Sequence, residues 1–157
     1  MSLALQEYMV RKKKTLAIAE SCTGGFLAHL ITKHSGASQY FLGSFVTYCN
    51  ALKQSVLAVK ENTLQEFSAV SEPVVLQMLE GVFQITKADF GLAVSGIAGP
   101  DGGTKENPIG TVWIALGERG KTPKTFSLQL QGDRESIIHE VAELSLTFLY
   151  KKVQEKE

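Results

Sequence analysis

The chain has 157 residues, enough for one domain with a full apolar core and no need of disulfides or a structural metal. Its 16 basic residues cancel its 16 acidic ones, and 44% of the chain is hydrophobic, so no global field draws it to nucleic acid or to a membrane surface. Cys22 and Cys49 are no disulfide framework, and neither a secretory signal nor an apolar run of about 18 residues is visible, so the cytoplasm is the expected location.

Residues 2–12 carry Leu5, Tyr8 and Met9 at helical spacing, with Ser2 as a candidate cap and the basic run at 11–14 as a solvated C-terminal end. Leu16 to Ala19 form a short apolar run that predicts a buried strand over 15–20. Phe26, Leu27, Leu30 and Ile31 then repeat with helical period, so a helix is expected over roughly 24–34, closed by His34, Ser35 and Gly36. Phe45, Val46, Thr47 and Tyr48 predict a strand within 43–50, and Asn50 is the candidate cap of a short helix over 51–58. Residues 61–67 can add a turn or two of helix.

Ser71, Glu72 and Pro73 open the clearest helix, over 72–87, with Val74, Val75, Met78, Leu79, Val82 and Phe83 on one face. Residues 90–97 read as a buried strand that empties into a glycine- and proline-rich loop. Strands over 109–118 and 124–131 flank a turn at 119–121, which predicts an antiparallel pair. Asp133 can cap a last helix whose Ile137, Ile138, Val141, Leu144 and Phe148 face the core. Strands alternating with helices and then a hairpin predict a three-layer α/β/α single domain over 1–157, with a mixed, mostly parallel sheet of about five strands.

The passage from strand to helix at 20–25 gathers Glu20, Ser21, Cys22 and Thr23 ahead of Gly24 and Gly25, two glycines that allow another group to approach the backbone. A helix N-terminus there would suit a phosphate or a developing oxyanion. Two readings stand side by side: Ser21 or Thr23 as a simple helix cap, or Ser21 or Cys22 as a nucleophile. Ligands of such folds bind beyond the carboxyl ends of the parallel strands, where Ser21, Tyr48 and Ser95 can share one cleft.

His29, His34 and His139 are scattered, so neither a metal site nor a Ser-His-Asp triad is expected. Lys53 is the candidate base. With Asn50 as cap it would be the third residue of its helix, where the helix dipole and burial both favour the neutral amine. Tyr48 could bridge Ser21 and Lys53 or protonate the leaving group; alternatively Lys53 faces solvent and Tyr48 packs in the core. In the loop, Gly96, Gly99, Gly102 and Gly103 free backbone N–H groups to line an anion-binding concavity, without the spacing of a P-loop or a dinucleotide fingerprint. Arg134 offers a guanidinium to a phosphate, or is an ordinary surface arginine after a capping aspartate.

AESCTGG at 19–25, FVTYCNALK at 45–53, AVSEPVV at 69–75, SGIAGPDGG at 95–103, PIGTVW at 108–113 and GDR at 132–134 together resemble the CinA C-terminal domain family, and within it the stand-alone, PncC-type nicotinamide mononucleotide amidohydrolases. The resemblance implies hydrolysis of the carboxamide of nicotinamide mononucleotide to nicotinic acid mononucleotide and ammonia, with no cofactor, in bacterial pyridine-nucleotide (NAD) recycling. It implies Ser21 as nucleophile, Tyr48 and Lys53 as catalytic partners, Ser95 as a hydroxyl near the substrate and Arg134 as the arginine of the GDR motif. It also implies a homodimer or larger homo-oligomer. The expected substrate contacts are Glu20, Cys22, Thr23, Gly24, Gly25, Asn50, Ser95, Gly96, Gly99, Gly102, Gly103 and Arg134. Ser44 and Ser68 stand where the family commonly has glycine. The chain has no room for the N-terminal nucleotide-processing domain of longer relatives, and a nucleotide-binding module without catalysis is the rival expectation.

Overall fold

The computed structural model describes residues 2–155. In chain order the elements are α1 (Ser2–Arg11), β1 (Leu16–Glu20), α2 (Phe26–Thr32), a single 3-10 turn (Ala37–Gln39), β2 (Phe41–Val46), α3 (Asn50–Leu57), α4 (Glu61–Phe67) and α5 (Glu72–Thr86). β3 (Phe90–Gly96), β4 (Thr111–Glu118), β5 (Lys124–Gln129) and α6 (Arg134–Gln154) complete the fold. The five strands lie in the order β2-β1-β3-β4-β5. β1 pairs parallel with both β2 and β3, and β4 runs antiparallel between β3 and β5.

Strand periodicity divides the core into two unlike faces. Leu16 and Ile18 of β1, Phe90, Leu92 and Val94 of β3, and Val112, Ile114 and Leu116 of β4 bury large side chains against α1, α2 and α6. Ala17, Ala19, Ala93 and Ala115 present small ones to α5 and its neighbours α3 and α4. The small face lets α5 sit close. A Cβ added at Gly91 would lie 2.6 Å from the Leu79 side chain. α5 compensates with its own bulk, burying Val74, Val75, Met78, Leu79 and Val82, each contributing about 1.5–3 kcal/mol of transfer free energy. Gly81 of α5 packs on α3, where a Cβ would run into the Leu57 carbonyl.

Several boundaries differ from expectation. β2 runs over Phe41–Val46, so residues 47–49 leave the sheet and lead into α3. Asn50 is the first residue of α3 and Cys49 its N-cap, which makes Lys53 the fourth helical residue. α2 starts at Phe26 behind Gly25, a left-handed N-cap at φ 100°. Ser2 lies inside α1, with its hydroxyl 2.8 Å from His34 Nε2. In α6, Leu146 and Leu149 join the core in place of Leu144, because the buried stripe passes through Ser145. Among the described residues no helix is long and apolar enough to cross a membrane.

Candidate active site

Because β1 is parallel to both neighbours, the carboxyl ends of three strands meet at one edge, with Glu20 in register with Val46 and Val94. The chain leaves β1 into Ser21, whose N–H donates to Val94 O at 3.1 Å, while Thr47 N donates to Glu20 O at 2.9 Å. Those two bonds hold the turn after β1 between the ends of β2 and β3. Lys53, one helical turn into α3, reaches back to this point. Its Nζ donates to Ser21 Oγ at 3.0 Å, to Thr47 O at 2.9 Å and to Tyr48 O at 3.3 Å.

The Lys53 side chain is buried, with only 1% of the residue exposed, and no carboxylate pairs with it among the described residues. Burial holds its pKa below the ordinary lysine value, against an opposing pull from the Cys49 and Cys22 thiols. Desolvation, rather than the helix dipole, is the leading cause. In the neutral amine two N–H groups satisfy the carbonyls of Thr47 and Tyr48, and the lone pair is left to face Ser21 Oγ. That is the arrangement a serine nucleophile needs from its base.

Cys22 lines the same cleft but is chemically subdued. Burial pushes its thiol up to about 12, with a smaller push from the Glu20 carboxylate, so little thiolate exists near neutral pH. Of the two candidate nucleophiles, Ser21 is hydrogen-bonded to the candidate base Lys53, and Cys22 meets no such partner among the described residues.

The cleft, of about 250 Å³, is lined by Ser21, Cys22, Tyr48, Lys53, Ser95 and Arg134, together with Asn50, Gly96, Gly99 and Gly102. Ser95 is buried and its hydroxyl donates to Ala69 O at 2.8 Å, so its proton is committed to the wall. Tyr48 is not a bridge between Ser21 and Lys53. The residue is 56% exposed, and its hydroxyl accepts from Arg134 Nη2 at 2.9 Å, while Arg134 Nη1 donates to Gly99 O at 2.8 Å. Lys53 meets Ser21 directly, and the part of Tyr48 that it touches is the main-chain carbonyl. The phenol, accepting from the guanidinium, keeps its own proton free to donate.

Five of the expected substrate contacts lie off the cleft: Glu20, Thr23, Gly24, Gly25 and Gly103. Glu20 is wholly buried, and its carboxylate accepts from Thr23 Oγ1, Gly25 N and Leu27 N on one oxygen and from Ala28 N and Ser44 Oγ on the other. Neither Ser21 nor Thr23 caps α2; Glu20 does so from the preceding strand, and the positive end of that helix is filled. Gly24 and Gly25 serve the left-handed backbone of the turn, at φ 54° and 100°, and a Cβ on Gly24 would meet nothing within 4 Å. Gly103 turns away toward Ile109.

Sequence reasoning did not single out Ala69, Val70 and Asp101, which also line the cleft. The first two belong to the connection between α4 and α5, which bears Ser68 at φ 65°, ψ 168°, a conformation that favours glycine. Asn107 Nδ2 donates to Ser68 Oγ at 3.1 Å and to Val70 O at 3.3 Å, tying the glycine-rich loop to that connection. Among the described residues no group of three or more His, Cys, Asp and Glu side chains could hold a metal ion.

The sequence pattern of the CinA C-terminal domain matches residues 1–153. The chain belongs to this family. A CinA-like protein of Thermotoga neapolitana is 46% identical over 156 residues, covering 97% of this chain and 38% of the relative. The chain therefore spans well under half the length of the longer CinA-like proteins it matches. The nicotinamide-nucleotide amidohydrolase PncC of Shigella flexneri is 41% identical over 138 residues, which cover 88% of this chain and 84% of that protein. Among solved structures, the competence damage-inducible protein A of Klebsiella pneumoniae superposes with a TM-score of 0.94 at 34% identity, over 98% of this chain and 94% of that one. The CinA C-terminal fold thus extends over nearly all of the described chain, with the cleft at the carboxyl ends of its parallel strands.

Proposed function

We propose that the protein hydrolyses the carboxamide of nicotinamide mononucleotide to nicotinic acid mononucleotide and ammonia, as a cytoplasmic enzyme of pyridine-nucleotide recycling that works as a homo-oligomer. The observation that carries this reading is the buried, unpaired Lys53 amine 3.0 Å from Ser21 Oγ. The substrate is suggested by the Shigella flexneri relative, a nicotinamide-nucleotide amidohydrolase.

In this mechanism neutral Lys53 takes the Ser21 hydroxyl proton as Oγ attacks the carboxamide carbon. The oxyanion is held by backbone amides of the turn. Gly24 N is bonded to Ser21 O and Gly25 N to Glu20, which leaves the amide of Thr23 and that of Cys22, whose N–H now faces its own thiol. The C–N bond breaks as Lys53 returns its proton to the nitrogen, and ammonia leaves. Lys53 then takes a proton from water, the hydroxide attacks the acyl carbon, and Ser21 Oγ departs with that proton. Arg134, with the loop carrying Gly96, Gly99 and Gly102, receives the ribose phosphate, and the Tyr48 phenol donates toward the substrate. No cofactor takes part.

The test is ammonia release from nicotinamide mononucleotide and from nicotinamide riboside by wild type and Lys53→Ala. Release from the mononucleotide, lost in the variant, supports the amidase. A folded wild-type protein that binds the nucleotide and releases nothing would instead be a pyridine-nucleotide-binding regulatory module.

A further inference from the structure

Among the described residues Glu20 is unlike any other acidic residue in being wholly buried while accepting five hydrogen bonds, at 2.7–3.0 Å. Its side chain leaves β1 on the same face as Leu16 and Ile18, toward α2, while the next residue, Ser21, turns into the cleft. We propose that Glu20 is a positioning residue: with Ser44 it locks the turn bearing Ser21 to β2 and α2, and so fixes the Ser21 hydroxyl against Lys53. This rests on the serine–lysine chemistry proposed above.

Two sets of bonds carry the inference. The Glu20 carboxylate gathers the amides of Gly25, Leu27 and Ala28, which pins the far end of the turn that begins at Ser21. The same residue controls the other half of the pair. Glu20 O accepts from Thr47 N, and Thr47 O accepts from Lys53 Nζ, so a closed ring runs from Ser21 through Lys53 and Thr47 to Glu20 and, by the peptide bond, back to Ser21. β2 is an edge strand, hydrogen-bonded within the sheet on one side only, to β1. Ser44 Oγ, donating to Glu20 Oε1 at 2.8 Å, cross-links it to the nucleophile's strand by side chains as well as by the ladder. Ser44 thereby acquires a task that a glycine at this position could not perform.

Glutamine cannot replace this carboxylate fully. Ser44 Oγ can reverse and accept from a glutamine Nε2 placed at Oε1, but the Ala28 amide there cannot, and it loses its acceptor. Ser44→Ala removes a single bond of the brace and leaves the carboxylate its other four donors.

The experiment compares wild type, Glu20→Gln and Ser44→Ala, each checked for folding by thermal unfolding. Ser21 reactivity is read without substrate, as the rate of labelling by an aryl sulfonyl fluoride with Ser21→Ala as the control, and ammonia release from nicotinamide mononucleotide gives kcat and KM. Labelling and kcat should fall together, by about 100-fold in Glu20→Gln and about 5-fold in Ser44→Ala, with KM within about twofold, since small displacements of reacting groups cost rate rather than binding. Labelling at the wild-type rate in folded Glu20→Gln, or a loss confined to KM, would overturn the proposal; should Glu20→Gln not fold, Ser44→Ala decides by the same criteria. A wild type that labels at Ser21 yet releases no ammonia removes the amidase reading and leaves the labelling series to decide the role of Glu20. A wild type that does not label at all removes the poised serine and the positioning role with it.

Discussion

Lys53 Nζ lies 3.0 Å from Ser21 Oγ although the two residues are 32 positions apart in the chain. Their meeting depends on the parallel pairing of β1 with β2, which brings the start of α3 beside the turn after β1.

The pH dependence follows from Lys53. Its folded pKa is below the unfolded value, and the neutral amine is the working form in the proposed mechanism. kcat/KM should rise with pH and level off once Lys53 is neutral, a point that lies below the ordinary lysine range. In the window between the two pKa values the unfolded chain binds more protons than the native one, so stability also rises with pH there, and the lysine's destabilising effect is fully present below the folded value. Denaturant unfolding at several pH values should show this slope in wild type and its absence in Lys53→Met. The same slope in both would remove Lys53 as its source.

Nucleophile identity is read from two substitutions. Ser21→Ala should lower kcat by at least about a thousandfold. Cys22→Ala should leave it within about threefold, because a thiol held near 12 has little thiolate to offer. Steady-state ammonia release checks both, and a large loss in Cys22→Ala with full folding would transfer the role.

Arg134 should govern recognition of the phosphate. Arg134→Lys loses the forked contact that now spans Gly99 O and Tyr48 Oη. KM for the mononucleotide should rise about tenfold with little change for the riboside, which lacks the phosphate. Equal effects on the two substrates would place the phosphate elsewhere.

Gly81→Ala sets helix propensity against packing. Alanine is favoured inside a helix by about 1 kcal/mol. Here its Cβ would strike the Leu57 carbonyl, so the net effect should be a loss of about 2 kcal/mol in urea unfolding. Because α3 also carries Lys53, kcat should fall as well.

Ser68→Gly should act in the opposite direction. Relief of the backbone at φ 65°, ψ 168° should raise stability by about 1 kcal/mol, even with the Asn107 contact to the hydroxyl lost. A lower unfolding midpoint would mean that this contact outweighs the strain.

Periodicity made most of the fold legible. The alternating apolar runs of β1 and β3 and the long stripe of α5 state their own structure, and the family motifs brought Ser21, Lys53, Tyr48, Ser95 and Arg134 forward as a group. What sequence could not show was where hydrogen bonds go in the turn after β1. A glutamate ahead of Ser-Cys-Thr-Gly-Gly looks like a ligand-binding acid, and only the fold back of α2 onto Glu20 makes it an internal cap. A Tyr48 phenol bridging Ser21 and Lys53 fails for a related reason: side-chain direction is not encoded in a spacing of five residues, and it is the main chain that meets Lys53. Ala69 and Val70 carry no chemical signature, so their place on the cleft comes from the α4–α5 connection alone.

The burial of Lys53 ties reactivity to the completed fold. An extended chain leaving the ribosome carries an ordinary serine and an ordinary, protonated lysine, with neither a partner for Ser21 nor a dry environment to release the amine's proton. On the proposed mechanism activation therefore requires both the docked edge strand and α3 closed over the turn. A partly assembled chain is inert toward the amides around it, and any stress that loosens β2 should silence the site before the rest of the molecule melts.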